Sequence, residues 1–225
     1  MLRKCLLFLI LASLTLTGCI AIPELSGETT AEGTESAELT IDGAPAIEIT
    51  NFAGTITVRE GEPGQIAATM TKQSRLEDVA AAEAQLAEVT LIVEETGSGA
   101  RVVADGPQNF DNLEEVEIGL TALLEVTVPP GADLTLNLGA GEITLEQPTG
   151  DVETNSGAGE ATAILPADAS FRLVVNGGVA DVQSEFAGVP GGGVAADIDT
   201  TVGDNPTQTL TFHLGAGEVR LEKAP

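Results

Sequence analysis

Few side chains in this 225-residue sequence are of a kind that does chemistry. Its two Cys are Cys5 and Cys19, and its one His is His213. A Cys/His zinc site or a disulfide scaffold needs more ligands or pairs than that, so both are excluded. By strand alternation His213 points outward between Phe212 and Leu214. A lone surface imidazole is neither a metal site nor the base of a triad. Ser156 and Ser184 have no plausible base to activate them. Gly139-Ala-Gly-Glu142 is Gly-rich, but it lacks the Lys of a phosphate loop and a strand pattern follows it. It also has no Ser between its glycines, as a nucleophile elbow requires. Carboxylates remain. Glu142 and Glu160 occupy the same place in two copies of a repeat, and Asp197, Asp199 and Asp204 form a second group. Oxygen-rich clusters suit hard divalent cations, Ca²⁺ above all. The same residues also read as a solvated acidic face, and no Gly-Gly-x-Gly-x-Asp calcium repeat is present.

Cys19 has a different chemistry. Arg3 and Lys4 precede an apolar stretch from Leu6 to Leu16, too short to span a bilayer, which takes about 20 residues. This is the layout of a secretory leader. It ends in Leu16-Thr17-Gly18-Cys19, which resembles the lipobox of bacterial lipoproteins. The resemblance implies a diacylglyceryl thioether on Cys19, cleavage before it and acylation of the new amino terminus. Two or more acyl chains anchor a protein stably where one chain is marginal. Residues 1–18 are therefore expected to be a signal peptide. Residues 19–38, with Pro23, Gly27 and Gly33 among Glu, Ser and Thr, are expected to be an acylated, disordered tether. The expected location is extracytoplasmic, on a membrane surface through lipid alone.

Charge narrows the choice of partner. The chain has 35 Asp and Glu against 9 Lys and Arg, a formal charge of −26. Loss of Arg3 and Lys4 with the leader takes the mature chain to −28. Nucleic acid is excluded as a partner, since phosphate binding needs clustered cations. A lyase acting on acidic sugars would need basic residues in its cleft. A glycosidase has carboxylates enough, but the chain has 6 Phe and neither Trp nor Tyr to stack a sugar. Self-repulsion at this charge is expected to make the fold more stable in high salt.

The elements that carry these residues are strands. From Leu39 onward apolar and polar residues alternate, as in Ile47 and Ile49, Ile56 and Val58, Leu124 to Val128, Leu134 to Leu138, and Leu210 to Leu214. One stretch departs from period two. Ser74-Arg-Leu-Glu77 reads as a capping box, and Leu76, Val79, Ala80 and Leu86 recur at helical spacing. The pattern predicts a helix over about residues 75–88, covering an apolar edge of the sheet.

The second half repeats itself. Leu136-Asn-Leu-Gly-Ala-Gly-Glu-Ile-Thr-Leu145, Thr154-Asn-Ser-Gly-Ala-Gly-Glu-Ala-Thr-Ala163 and Phe212-His-Leu-Gly-Ala-Gly-Glu-Val-Arg-Leu221 align without gaps. A weaker copy runs from Val174 to Val182, and Asn51 to Val58 is a degenerate one. Gly139, Gly157, Gly177 and Gly215 lead the copies, with Gly141, Gly159 and Gly217 two residues on. The spacing, close to 19 or twice 19, predicts a β-solenoid in which each copy is strand, Gly corner, strand. Stacking is expected to bring Gly139, Gly157 and Gly177 into one ladder and to set Glu142 beside Glu160, where they repel. An antiparallel β-sandwich with similar Gly turns is the alternative.

This pattern, from Ile49-Thr-Asn-Phe-Ala-Gly-Thr-Ile-Thr-Val58 through the charged helix and Leu124-Glu-Val-Thr-Val-Pro-Pro-Gly131 to the Gly-Ala-Gly repeats, resembles a bacterial adhesin-type family of β-strand-repeat domains. The likeness spans about residues 47–223 of an expected domain at 39–225. It implies a β-helix-like fold at the cell envelope and carries over no catalytic residue. The expectation is therefore a non-catalytic, adhesin-like or scaffolding protein. Its partner would be an envelope or surface protein or glycan, and it needs no cofactor. A Ca²⁺-dependent acidic binding module and a glycan-active β-helix enzyme are the alternatives. Cys19→Ser is expected to release the protein from membranes and abolish lipid labelling. Fractionation with a lipid-labelling assay tests this, and unchanged retention and labelling would overturn the lipobox reading.

Overall fold

A computed structural model of the chain describes residues 28–43, 45–106 and 119–225. The leader, Cys19 and residues 20–27 of the expected tether lie outside them. The described chain is all-β apart from one helix. In order it runs β1 (Ala31–Thr40), β2 (Ala46–Glu60), β3 (Gln65–Ser74), α1 (Val79–Ala87), β4 (Thr90–Thr96), β5 (Gly99–Asp105), β6 (Leu120–Val128), β7 (Asp133–Glu146), β8 (Val152–Leu165), β9 (Phe171–Ser184), β10 (Gly193–Val202) and β11 (Gln208–Lys223). Among the described residues no helix is long and apolar enough to cross a membrane.

The repeat strands pair in parallel. β7 lies beside β2, β8 beside β7, and β11 beside both β8 and β9. A straight 14-residue strand such as β7 would be about 46 Å long. Residues 147–151, which join it to β8, reach about 20 Å at most. Parallel pairing through so short a link requires the strand to double back. It does so at the glycines. In β7 the buried side chains are Leu134, Leu136 and Leu138 before the bend, and Ile143 and Leu145 after it. The switch from even to odd positions turns both halves of the strand toward one core. Leu134 at one end of β7 and Leu145 near the other line the same small cavity, with Val58 and Val128.

The second glycine of each copy makes the stack tight. Gly54, Gly141, Gly159 and Gly217 are register partners in successive strands. Gly141 and Gly159 have φ of 134° and 137°, in the region that favours glycine. A Cβ on Gly159 would also be driven into the carbonyl oxygen of Gly141, far inside contact distance. The same holds for Gly141 against Gly54 and for Gly217 against Gly159.

Four features differ from the sequence expectation. The glycine ladder runs Gly139, Gly157, Gly215 and Gly178, because β11 lies between β8 and β9 and because Gly177 is one residue out of phase. Gly177 takes the inner position held by Leu138 and Leu214. Ala180 takes that of Gly141 and Gly217 with its methyl buried, and a Cβ on Gly177 would fall 2.7 Å from it. A small residue at 177 thus makes room for a larger one at 180.

Second, the helix starts later than predicted, at Val79 rather than Arg75. Asp78 is its cap, accepting from the Ala81 N–H at 2.8 Å. Ser74 is held in the β3 ladder, and its hydroxyl donates to Gln85 Oε1. The helix buries Ala82, Gln85 and Leu86, while Val79 is exposed.

Third, the last part of the expected tether is a strand, since β1 covers Ala31–Thr40. β1 pairs antiparallel with β3 through its whole length. Its inward residues are Ala31, Gly33, Glu35, Ala37 and Leu39, with one large apolar side chain among them, so its alternation carried little hydrophobic signal. Lys72 Nζ instead holds Glu35 at 2.6 Å and the Val89 carbonyl at 2.7 Å, and Glu35 also accepts the Leu91 N–H. The hydrogen bonds from Lys72 and then Leu91 keep the Glu35 carboxyl below its ordinary pKa. Fourth, the rung above β2 is split. β5 continues the first half of β2 and β6 the second. Asn51, buried at the bend, donates to the Ala122 carbonyl at 2.8 Å across that split.

The glycine ladder generates a prediction. Gly159→Ala adds one methyl against a carbonyl and forces an unfavourable φ, which together cost about 2–5 kcal/mol. The melting temperature should fall by roughly 5–15 °C. An unchanged melting curve would mean that the corner is loose.

Candidate interaction surface

Register pairing converts each repeat position into a row across the strands. Three rows lie next to one another on the outside of the bend. The first is Thr50, Asn137, Asn155, His213, Asn176 and Asp197. Its amides interlock. Asn155 Nδ2 donates to Asn137 Oδ1 at 3.1 Å, and Asn137 Nδ2 donates to Glu48 Oε1 at 3.2 Å. His213 stands half exposed in this row, with its Nε2 3.8 Å from Glu153 Oε1.

The second row is aliphatic: Ala53, Ala140, Ala158, Ala216, Val179 and Val194. It crosses the crest of the bend, where side chains cannot turn inward. Val179 is 54% exposed and Val194 84%. The third row is Thr55, Glu142, Glu160, Glu218 and Asp181, on the far side of the bend.

The carboxylates are not left to repel freely. Arg220 stands where β7 and β8 have Thr144 and Thr162. Its guanidinium reaches Glu160 at 2.8 Å and Glu218 at 2.7 and 3.0 Å. The bond to Glu218 and the neighbouring charges hold Arg220 protonated more firmly than usual. Glu160 also accepts from Thr162 Oγ1 at 3.1 Å. Glu160 is flanked by β7 and β11, and β11, which the repeat count did not place next to it, brings the cation.

Other acidic side chains fasten one turn of chain to the next. Asp133 accepts the Asp151 N–H at 3.0 Å, and Asp151 accepts the Thr209 N–H at 2.7 Å. Glu60 accepts the Thr149 N–H at 3.0 Å, and Glu185 accepts the Lys223 N–H at 2.8 Å. In the second predicted carboxylate group one member is engaged by a cation. Asp199 makes a two-point pair with Arg172, at 2.9 and 2.6 Å, and the hydrogen bond from that guanidinium lowers its pKa. Asp197 faces Asn176 in the register, and Asp204 lies in the turn beyond β10. Among the described residues no three His, Cys, Asp or Glu converge on one point as a metal site would need. Of the two serines considered as nucleophiles, Ser156 has a buried Oγ without a hydrogen-bond partner and Ser184 caps the Phe186 N–H at 3.0 Å.

The sequence pointed to Glu142, Glu160 and the glycines. It did not point to Arg220 or to the aliphatic row. Both were signalled: Arg220 by its substitution for Thr at a repeat position, and the row by the Ala between each pair of glycines.

Comparison with known proteins adds a fold. No family model matches the chain, and no curated protein matches it. A crystal structure titled "putative cell adhesion protein" from Clostridium sporogenes superposes with a TM-score of 0.52 at 12% identity, over 85% of this chain and 100% of that one. A "putative adhesin" from Bacteroides fragilis is 8% identical over 87% and 100%, with a TM-score of 0.26. A "putative lipid binding protein" from Parabacteroides distasonis is 7% identical over 84% and 96%, with a TM-score of 0.25. Of these three, the first alone follows enough of the same backbone path to speak to the fold, and at its identity it speaks to nothing else.

The electrostatics can be tested directly. Arg220→Gln leaves Glu142, Glu160, Glu218 and Asp181 in line without the guanidinium. Like charges on neighbouring strands cost a few tenths to about 1 kcal/mol per pair. The variant should melt lower than the parent at low salt and recover most of the difference in 1 M NaCl, where the Debye length is ~3 Å. A loss equal at both salt concentrations would mean that Arg220 acts through packing.

Proposed function

We propose that this protein is a lipid-anchored β-solenoid on the outer face of a membrane, and that it works as an adhesin-like or scaffolding surface without chemistry of its own. The observation that carries the reading is the set of adjoining outer rows. Amide, aliphatic and carboxylate side chains run side by side at the ~4.8 Å strand spacing, on a backbone fixed by the glycine ladder. A partner meets the same groups at each step, so many weak contacts add up over one rigid face. The adhesion-type name of the Clostridium structure agrees with this reading at the level of fold.

The anchor would be Cys19, with the partner an envelope or surface protein or glycan. Eleven residues separate Cys19 from β1, a reach of at most about 40 Å. The domain would thus sit close to its membrane rather than far above it. Its negative charge would keep it off anionic lipid.

Row variants test the proposal. The full-length protein displayed on cells should bind an envelope fraction or a matched cell surface. Ala140→Glu with Ala216→Glu should abolish that binding while leaving the melting temperature within a few degrees. Binding that survives the double variant would overturn the row as the contact face. Binding lost on adding chelator to the parent would instead support the divalent-cation module.

A further inference from the structure

Chain order and sheet order disagree among the last strands. β8 and β9 are consecutive and joined by residues 166–170, yet they do not pair. β11 lies between them, parallel to both. Leu210 is the register partner of Val152 on one side and of Leu173 on the other. One strand, later in sequence than either neighbour, therefore satisfies the facing ladder edges of both.

To enter this slot the chain leaves β10, which pairs with the opposite edge of β9, and passes around the end of β9 through residues 203–207. Ser170 clamps that crossing. Its hydroxyl donates to the Val202 carbonyl at 3.1 Å and accepts the Asn205 N–H at 3.2 Å, and its carbonyl accepts the Thr207 N–H at 3.1 Å. Gly203 turns there with φ of 78°.

The slot is selective. Its occupant must place apolar side chains where Leu210, Phe212, Leu214, Val219 and Leu221 are buried. It must also have glycine where Gly215 and Gly217 pass over the carbonyls of Gly157 and Gly159. A strand with this pattern exists in every other copy of the chain.

We propose that the β8/β9 slot is a strand-acceptor site and that a second copy of this chain fills it, the two molecules exchanging β11 by opening at residues 203–207. Exchange replaces each ladder bond by an identical one, so the dimer forfeits little beyond the hinge contacts. Opposing it is the repulsion between two strongly acidic chains, so salt favours the exchanged form. A short hinge invites such exchange, and the Ser170 clamp resists it.

Interchain cross-linking tests this on the full chain, in mild detergent, with Cys5→Ser and Cys19→Ser removing the native thiols. One tagged copy carries Glu153→Cys and a differently tagged copy carries Thr211→Cys, two outward-facing register partners. The copies are mixed, warmed to just below the melting temperature in 1 M NaCl, cooled and treated with a short bis-maleimide. The expected result is a cross-linked dimer carrying both tags. Its yield should be several-fold higher with Ser170→Ala, which removes two hinge bonds and touches nothing in the slot. A Thr135→Cys and Glu153→Cys pair, on the neighbouring strands β7 and β8, should link only within one chain. A chain carrying both Glu153→Cys and Thr211→Cys should link within itself before warming. The proposal falls if that chain links internally but no two-tag dimer forms. It also falls if the β7/β8 control gives as much dimer, or if the double-Cys chain fails to link at all.

Discussion

Everything in this fold depends on the close approach of backbone to backbone at the bend. Each corner seats a glycine Cα over the carbonyl of the rung beside it, with no room for a methyl. A one-residue slip would put a side chain there and turn every apolar residue of the strand outward. The corner therefore locks the register of both halves of each strand at once. The columns of the core and the rows of the surface follow from that lock. Leu136, Thr154, Phe212 and Val175 form one inner column, and Asn137, Asn155, His213 and Asn176 form the adjoining outer row.

Exact register has a cost for an acidic chain, because it sets like beside like. The rows show how that cost is limited. Where three glutamates and an aspartate align, Arg220 stands one position further on and spans two of them. In the amide row the side chains are both donor and acceptor, so stacking identical residues produces hydrogen bonds instead of repulsion. Elsewhere Asp133, Asp151, Glu60 and Glu185 accept backbone N–H groups in the turns. A carboxylate in that role fastens adjacent turns together. Much of the negative charge is thus structural at short range while still making the surface acidic at long range.

Local pattern revealed what local physics controls. Alternation in Leu134 to Leu138 and in Leu210 to Leu214 gave strands, and the aligned Gly-Ala-Gly copies gave bends with equivalent neighbours. The departures came from choices that no short window contains. Ser74 and Asp78 are both competent helix caps, and the ladder between β3 and β6 decided between them by holding Ser74 extended. Gly177 and Gly178 are adjacent glycines, and only the buried methyl of Ala180 sets which one stands at the corner. β1 is held by Lys72 and by its ladder to β3, with Leu39 its one large apolar side chain against the core. The position of β11 was the least legible. Every repeat strand offers the same edge pattern, so similarity says that two copies can be neighbours and not which two are.

The same equivalence bears on what such a surface can do. Catalysis needs unlike groups held together, with a nucleophile, a base and a donor aimed at one point. A stack with repeated sequence does the reverse, spreading one kind of group along a line. Unlike groups meet where the repeat is broken: at Asn51, where the rung splits, at His213 within the amide row, and at Arg220 within the threonine position. Of these, Asn51 is buried and bound to a carbonyl, and Arg220 is engaged by two glutamates. His213 is half exposed and stands between two asparagines of its row. The imidazole thus breaks the run of amides between Asn155 and Asn176 and sets a different group at that rung.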